Sequence, residues 1–408
     1  MAKEIKNLAS RHRKEKRFKL LGKASIAFAL LFLVMLFSMI LVKSSGAFLR
    51  SQIALEFDFS APNYATSSSE NIDERLAIKE ALKLRFPEVQ SVSQKNSLYQ
   101  LTSKAANLEL RDFVKKNPQI LGQKTQIFIS ASSKADMFIK HGETSNLNED
   151  QKNYLKSLQE NNQVRTVFNW KFFTFADSRE PEIAGIGAAV IGSFLTMTIF
   201  LVCAFPVGVM CAFYLEEFAP KNRITDIIEI SINNLAAIPS IIYGLLGLTV
   251  YLQFMNLPRS SSLVGGMTLF MLVLPVIIIA TRNTIRSIPS SIRDGASALG
   301  ASQMQVAVHH LLPLSIPGIM TGTILAISRA LGETAPLLMI GMVAFIADIP
   351  QSFANPSSVL PVQIYLWSDS PESGFEQKTA AAILVLLGFL ILLNSVAIYL
   401  RKKFERKW

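Results

Sequence analysis

Arg329 and Glu333 stand between two stretches that carry no charge, residues 311–328 and 334–347. A charge at the centre of a membrane helix costs about 2.5–3.5 kcal/mol on insertion scales, so such residues usually serve a function. Arginine presents paired donors in a fixed fork that matches the oxygens of an oxyanion. A glutamate four residues on lies on the same helix face, about 6 Å further along the axis, and can neutralise the arginine. The pair can therefore lock a bundle together or handle an anion. Just before it, residues 293–313 read RDGASALGASQMQVAVHHLLP, a basic stretch studded with glycine and alanine. Such a loop suits a docking surface.

The elements that must position these residues are apolar runs. Half of the 408 residues are hydrophobic and mean hydropathy is +0.33, too apolar for an ordinary soluble chain. Residues 24–42, 183–215, 230–257, 260–281 and 379–400 are uncharged, and residues 314–346 form one run interrupted by the Arg329–Glu333 pair. About 20 apolar residues cross a bilayer as a helix. The reading is an all-α polytopic membrane protein with six transmembrane helices, the fifth kinked. Basic residues set its orientation. Residues 1–23 hold nine Lys/Arg against two Glu, and residues 401–408 hold five against one. Both are read as basic cytoplasmic tails, with 24–42 as an uncleaved anchor. The net charge of +11 reads as topology, and no aromatic-interleaved basic patch points to nucleic acid.

Residues 43–182 are mixed in charge and are read as a small α+β periplasmic domain inserted after the first helix. Strand patterns occur at 52–59 and 125–130, and helical spacing at 73–86, 108–116 and 149–161. His141 has no ligating company, so neither a metal site nor a nucleophile–base pair is expected there. Cys203 and Cys211 fall about 12 Å apart on one expected helix, too far for a disulfide. The second to fifth runs contain Pro206, Pro239, Pro275, Pro317 and Pro336, whereas the first and last contain none. Kinked inner helices beside straight outer ones suit a transport pathway. No G-x-x-x-x-G-K-[ST] string occurs, so no P-loop is expected.

Residues 293–313 resemble the coupling motif of bacterial ABC-import permeases, E-A-A-x-x-x-G-x9-I-x-L-P. Asp294, Gly295 and Ala296 take the first three places, Gly300 is the glycine, and His310 and Leu311 precede Leu312 and Pro313. Spacing is kept, while Asp replaces Glu, Gly replaces Ala and His310 replaces the aliphatic residue. The expectation is a short helix pressing into a partner's groove, with Asp294 near its start and Pro313 ending it before the next span. ISRALGETAPLLMIG, with IPSIIYGLLGL at 238–248 and FYLEEFAP at 213–220, is similar to the PstA-type permease of the phosphate ABC importer. That similarity spans about residues 183–400, and the large segment before it departs from the family pattern.

The resemblance implies an ABC-importer permease fold, with residues 183–400 as a five-helix core carrying coupling loop 282–313. It implies a permease without ATP-binding or catalytic residues of its own in a bacterial inner membrane, both termini cytoplasmic. Expected partners are a sister permease, a cytoplasmic ABC ATPase dimer, a periplasmic phosphate-binding protein, inorganic phosphate and the lipid bilayer, with no cofactor or metal. Arg329 and Glu333 are the candidate substrate contacts. Arg282 joins them because the family implicates an arginine at its place in phosphate passage; as a sequence feature it is equally a positive-inside charge. Alternatives are a permease for another oxyanion and a membrane-anchored periplasmic sensor.

Overall fold

The computed structural model describes residues 2–60, 73–142, 147–343 and 345–404. Helix α1 (Ala2–Ser44) carries the first apolar run, and its basic lead is helical too. Strand β1 (Leu49–Asp58) follows after one tight turn. It is the central strand of a three-stranded antiparallel sheet in the order β2-β1-β3, with β2 at Lys124–Ser130 and β3 at Val164–Phe168. Around it, in chain order, lie α2 (Glu74–Arg85), α3 (Val92–Tyr99), α4 (Ala106–Lys116), α5 (Ser133–His141) and α6 (Glu149–Glu160). Alternation puts Ile53, Leu55 and Phe57 into a core with Leu82, Leu98, Leu110, Ile127, Ile129 and Leu155. Strand β3 escapes the sequence reading because none of its residues is fully buried, so it shows no apolar face.

One buried carboxylate ties this unit to the chain that enters the bundle. Glu109 of α4 accepts from Arg50 Nη1 (2.9 Å), Lys171 Nζ (2.5 Å), and the amide and hydroxyl of Ser130 (both 2.9 Å). Lys171 lies on α7 (Trp170–Thr174), just ahead of the next long helix. Burial pushes the Glu109 carboxyl up, but the charges of Lys171 and Arg50 and the Ser130 hydrogen bonds outweigh it and hold it below the usual carboxylate range. A depressed carboxyl stabilises the fold above its unfolded value, about 4.3, and that contribution disappears as pH falls through the lower folded value. Glu109→Gln is therefore expected to lower the melting temperature at pH 7. The gap to wild type should close on acidification below about pH 4. A gap that stays constant with pH in a thermal-melt series would contradict this.

Helices α8 (Gly187–Phe213), α11 (Ser262–Arg286), α13 (Leu312–Gly332) and α16 (Gly374–Phe404) pack together, and α1 lies against α16. Among the described residues five helices, α1 included, are long and apolar enough to cross a membrane. The run read as a single span at 230–257 is instead two helices, α9 (Arg223–Ala237) and α10 (Ser240–Gly247), the latter extended by a wide turn to Phe254. They are bent by 101°, and counting this broken pair as one span makes six. The cause is local: Ile238 precedes Pro239 and is held extended, and proline supplies no amide to continue the helix. Tyr243 Oη reaches back across the bend to the Leu235 carbonyl at 2.7 Å, joining the Ile238 amide, which donates to the same carbonyl at 3.2 Å.

The interrupted run at 314–346 also divides. Helix α13 ends at Gly332, Glu333 is extended, and a short helix α14 (Ala335–Met339) follows. Pro336 sits in its first turn, where a missing amide costs nothing. Pro206, Pro275 and Pro317 lie inside continuous helices. Helix α12 (Ser290–Ala298) precedes α13 in the loop that resembles the coupling motif, and α15 (Leu360–Ser368) precedes α16.

Candidate functional site

Two antiparallel helices fix the depth of Arg329. A methyl group on Gly322 would lie 2.5 Å from Ala280 Cβ, and one on Gly318 would lie 2.3 Å from Thr284. These glycines let α13 and α11 touch with Gly322 level with Ala280. The same register carried along both helices sets Arg329 level with Val273, near the middle of α11. There α13 stops. Glu333 is the cap residue directly after its end, its own amide still bonded to the Ala330 carbonyl and its backbone turning extended beyond that. Gly332 and Thr334 flank the break. Arg329 Nε lies 3.7 Å from Glu333 Oε1, a four-residue pair across the helix end, and the side chains keep 38% and 21% of their exposure. Among the described residues Arg329 donates no hydrogen bond, so its fork is open.

The motifs on either side of this break meet one another. A methyl on Gly244 of α10 would come within 2.7 Å of Pro336 Cα, and one on Gly247 within 2.6 Å of Thr268 Oγ1. The two glycines thus let the bent α9–α10 pair press against α14 and α11, behind the Arg329 break.

Arg282 is placed quite differently. Its side chain is 6% exposed, with Nε 2.5 Å from Glu216 Oε1 and Nη2 against Glu229. Arg286 completes the cluster, reaching Glu216 at 2.9 Å and Glu229 at 3.6 Å. Two cations of α11 and two carboxylates, Glu216 just beyond the end of α8 and Glu229 of α9, form a neutral quartet. Arg282 and Arg329 are not brought together, and Arg282 has its charge fully matched.

Below the quartet lies the loop with Asp294, Gly295, Ala296 and Gly300. Asp294 is exposed in the middle of α12, whose first turn begins at Ser290 behind Pro289, so it caps no helix start. Ala296 faces inward onto Ile288, Val306 and Leu311. A methyl on Gly295 would meet nothing within 4 Å, which leaves this surface open. Gly300 has a backbone reason of its own. Its φ is +84°, its amide donates to Ser297, and the next amide, of Ala301, donates to Ala296. This is a Schellman termination, which favours glycine at that place. Leu312 and Pro313 do not end a helix. They open α13, and helical turns run on unbroken from Gln303. A wide turn at Val306–Leu311 absorbs the hydrogen bond that Pro313 cannot donate. The turn at Gly300 does the breaking that the proline was expected to do.

A non-glycine residue at Gly300 pays about 1–2 kcal/mol for its left-handed backbone, asparagine less than others. Gly300→Asn is therefore expected to lower the melting temperature less than Gly300→Val. An equal drop in both, in a thermal-melt comparison, would show that the turn does not depend on a left-handed residue at this place.

Glu216, Glu217 and Glu229 went unassigned in the sequence reading. Their signal was a Glu-Glu pair closing an apolar run, with three arginines waiting at 282, 286 and 293.

Comparison with known proteins gives this arrangement a lineage. Residues 204–408, half of the chain, match the model of the binding-protein-dependent transport system inner membrane component. The chain belongs to this permease family. Residues 5–149 match a domain of unknown function, DUF3333. The phosphate transport system permease protein PstA of Haemophilus influenzae is 31% identical over 235 residues, covering 58% of this chain and 81% of that one. PstA of Yersinia pestis is 32% identical over 229 residues, covering 55% and 76%. A probable ABC transporter permease protein of Bacillus subtilis, YqgI, is 36% identical over 172 residues, covering 42% and 58%. In the family-matched half lie the quartet, the α12 loop and the Arg329 break. As a permease the chain is a multi-pass protein of the inner membrane and a transport component.

Proposed function

We infer that the chain is the membrane-spanning permease subunit of an ATP-driven importer of inorganic phosphate. The similarity to PstA permeases supports the substrate. The observation that carries the mechanism is the contrast between two arginines. Arg282 is buried in a matched quartet, whereas Arg329 is half-open, loosely paired and level with the middle of α11, where the helix stops. Arg329 binds phosphate oxygens through its free fork. Glu333, tethered past the helix end, neutralises Arg329 when no anion is present and accepts the proton of a hydrogenphosphate when one is.

In this reading a sister permease completes the pathway, a phosphate-binding protein delivers from outside, and a separate ATPase dimer receives α12 in a groove. The exposed Leu299 and Met304 flank the Gly300 turn and supply the apolar contact. Both termini and residues 282–313 lie in the cytoplasm, and the α+β unit lies outside, in accord with the lysine and arginine counts. Impermeant labelling of single cysteines at Lys134 and Ser297, in a background free of Cys203 and Cys211, tests the orientation. Labelling of Ser297 alone in intact cells would reverse it. Uptake of labelled phosphate with competing sulfate, in cells with and without the chain, tests the function. Labelled phosphate uptake that is the same with and without the chain, beside labelled sulfate uptake that depends on the chain, would assign another oxyanion.

A further inference from the structure

Glu217 holds both arms of the loop that carries α12. Helix α8 passes at its end into a wide turn, Tyr214–Phe218, which sets Glu216 and Glu217 side by side. Neighbouring helical residues point about 100° apart, so the two carboxylates serve different partners. Glu216 faces the arginines of α11. Glu217, with its side chain 10% exposed, takes Arg293 of α12 in a forked contact, Nη2 at 2.8 Å and Nε at 3.1 Å. Arg293 also donates to the carbonyls of Ile285 and Ile288, both at 3.0 Å, where α11 ends. Cations are favoured at such an end. From the far side of the Gly300 turn, Gln303 Nε2 donates to the Glu217 carbonyl. The side chain of Glu217 thus grips the segment before the turn and its backbone grips the segment after it.

Little else fastens α12. Its apolar support is a small cluster of Ile288, Ala296, Val306 and Leu311, with Phe213 and Ile292 alongside. That cluster can keep the helix folded onto the bundle, but it has no directional contact to transmit a push.

We propose that Glu217, through Arg293, is the positioning joint that passes motion of α12 to α8 and α11, so that its loss uncouples ATP hydrolysis from transport without unfolding the permease. The proposal rests on the functional reading above. Its role is mechanical: neither residue touches substrate or ATP.

The test is made on the full importer in proteoliposomes, with phosphate uptake and ATP hydrolysis measured on the same preparation. Glu217→Ala and Arg293→Ala are expected to keep the ATPase bound and hydrolysing. Phosphate moved per ATP should fall about tenfold, the scale of one lost charge-assisted contact. Arg293→Lys keeps the charge without the fork and is expected to fall between. An unchanged ratio in Glu217→Ala overturns the proposal, and so does loss of the protein itself in both alanine variants. A spin label at Ser297 on the permease alone gives a second readout that needs neither partner nor substrate. Its mobility should rise in Glu217→Ala, and an unchanged spectrum overturns the joint. A wild type with no phosphate uptake but a label that loosens in Glu217→Ala would overturn the functional reading and leave the joint standing.

Discussion

Replacing Arg329 and Glu333 together by glutamine is expected to leave the permease abundant in the membrane but strongly impaired in phosphate uptake. The 3.7 Å separation and the partial exposure of both side chains make this a weak structural lock. Each single change leaves one unmatched charge at mid-depth, whose cost falls on stability. Arg329→Gln and Glu333→Gln alone should therefore reduce the amount of protein, and the double change should restore it. Uptake behaves otherwise. Without the guanidinium fork the anion loses its charge-assisted donors, worth about 1.5–3 kcal/mol, so uptake per molecule should fall by about tenfold to a hundredfold. The double-mutant cycle separates the two roles because abundance and specific uptake are read from the same cells. A well-expressed double variant with full phosphate uptake would sink the substrate role of Arg329.

Much of this architecture was legible in the sequence because membranes simplify it. An uncharged run of about 20 residues can only be a helix there, and residues 187–213, 262–286 and 374–404 follow from that rule. The rule says nothing about direction, so the 101° bend at Pro239 stayed hidden inside one apolar run. Proline was also the ambiguous signal. The same residue sits unbroken within α13 at Pro317, in the first turn of α14 at Pro336 and at a sharp bend at Pro239. At Pro239 the bend is bridged by Tyr243, whose hydroxyl donates to the Leu235 carbonyl. The charged pair was legible as an anomaly and as a four-residue pair, whereas the end of α13 directly after Gly332 was not, because no proline stands at that place to mark it. The quartet around Arg282 was hidden for a different reason. Its members are 66 and 53 residues apart in sequence, and only packing of α8, α9 and α11 brings them together.

That quartet yields the other large effect. Arg282 is 6% exposed between Glu216 and Glu229, with Arg286 outside it. Arg282→Met leaves two carboxylates facing one arginine. Removing one partner of a buried pair costs about 3–5 kcal/mol, enough to take most of the protein out of the membrane. Glu216→Gln with Arg282→Met removes one charge of each sign and leaves Arg286 with Glu229. This second variant should recover most of the abundance. Because both carboxylates of the quartet are turned on the charge of Arg282, uptake per molecule should recover along with abundance. Arg329 is expected to show the opposite pattern, protein restored and transport lost. The two arginines are thus separable by quantifying the permease in membranes beside labelled phosphate uptake. An abundant Arg282→Met, Glu216→Gln variant that takes up no phosphate would move Arg282 from the scaffold into the substrate pathway. It would also require the quartet to open during transport, releasing Arg282 from the carboxylates that hold it.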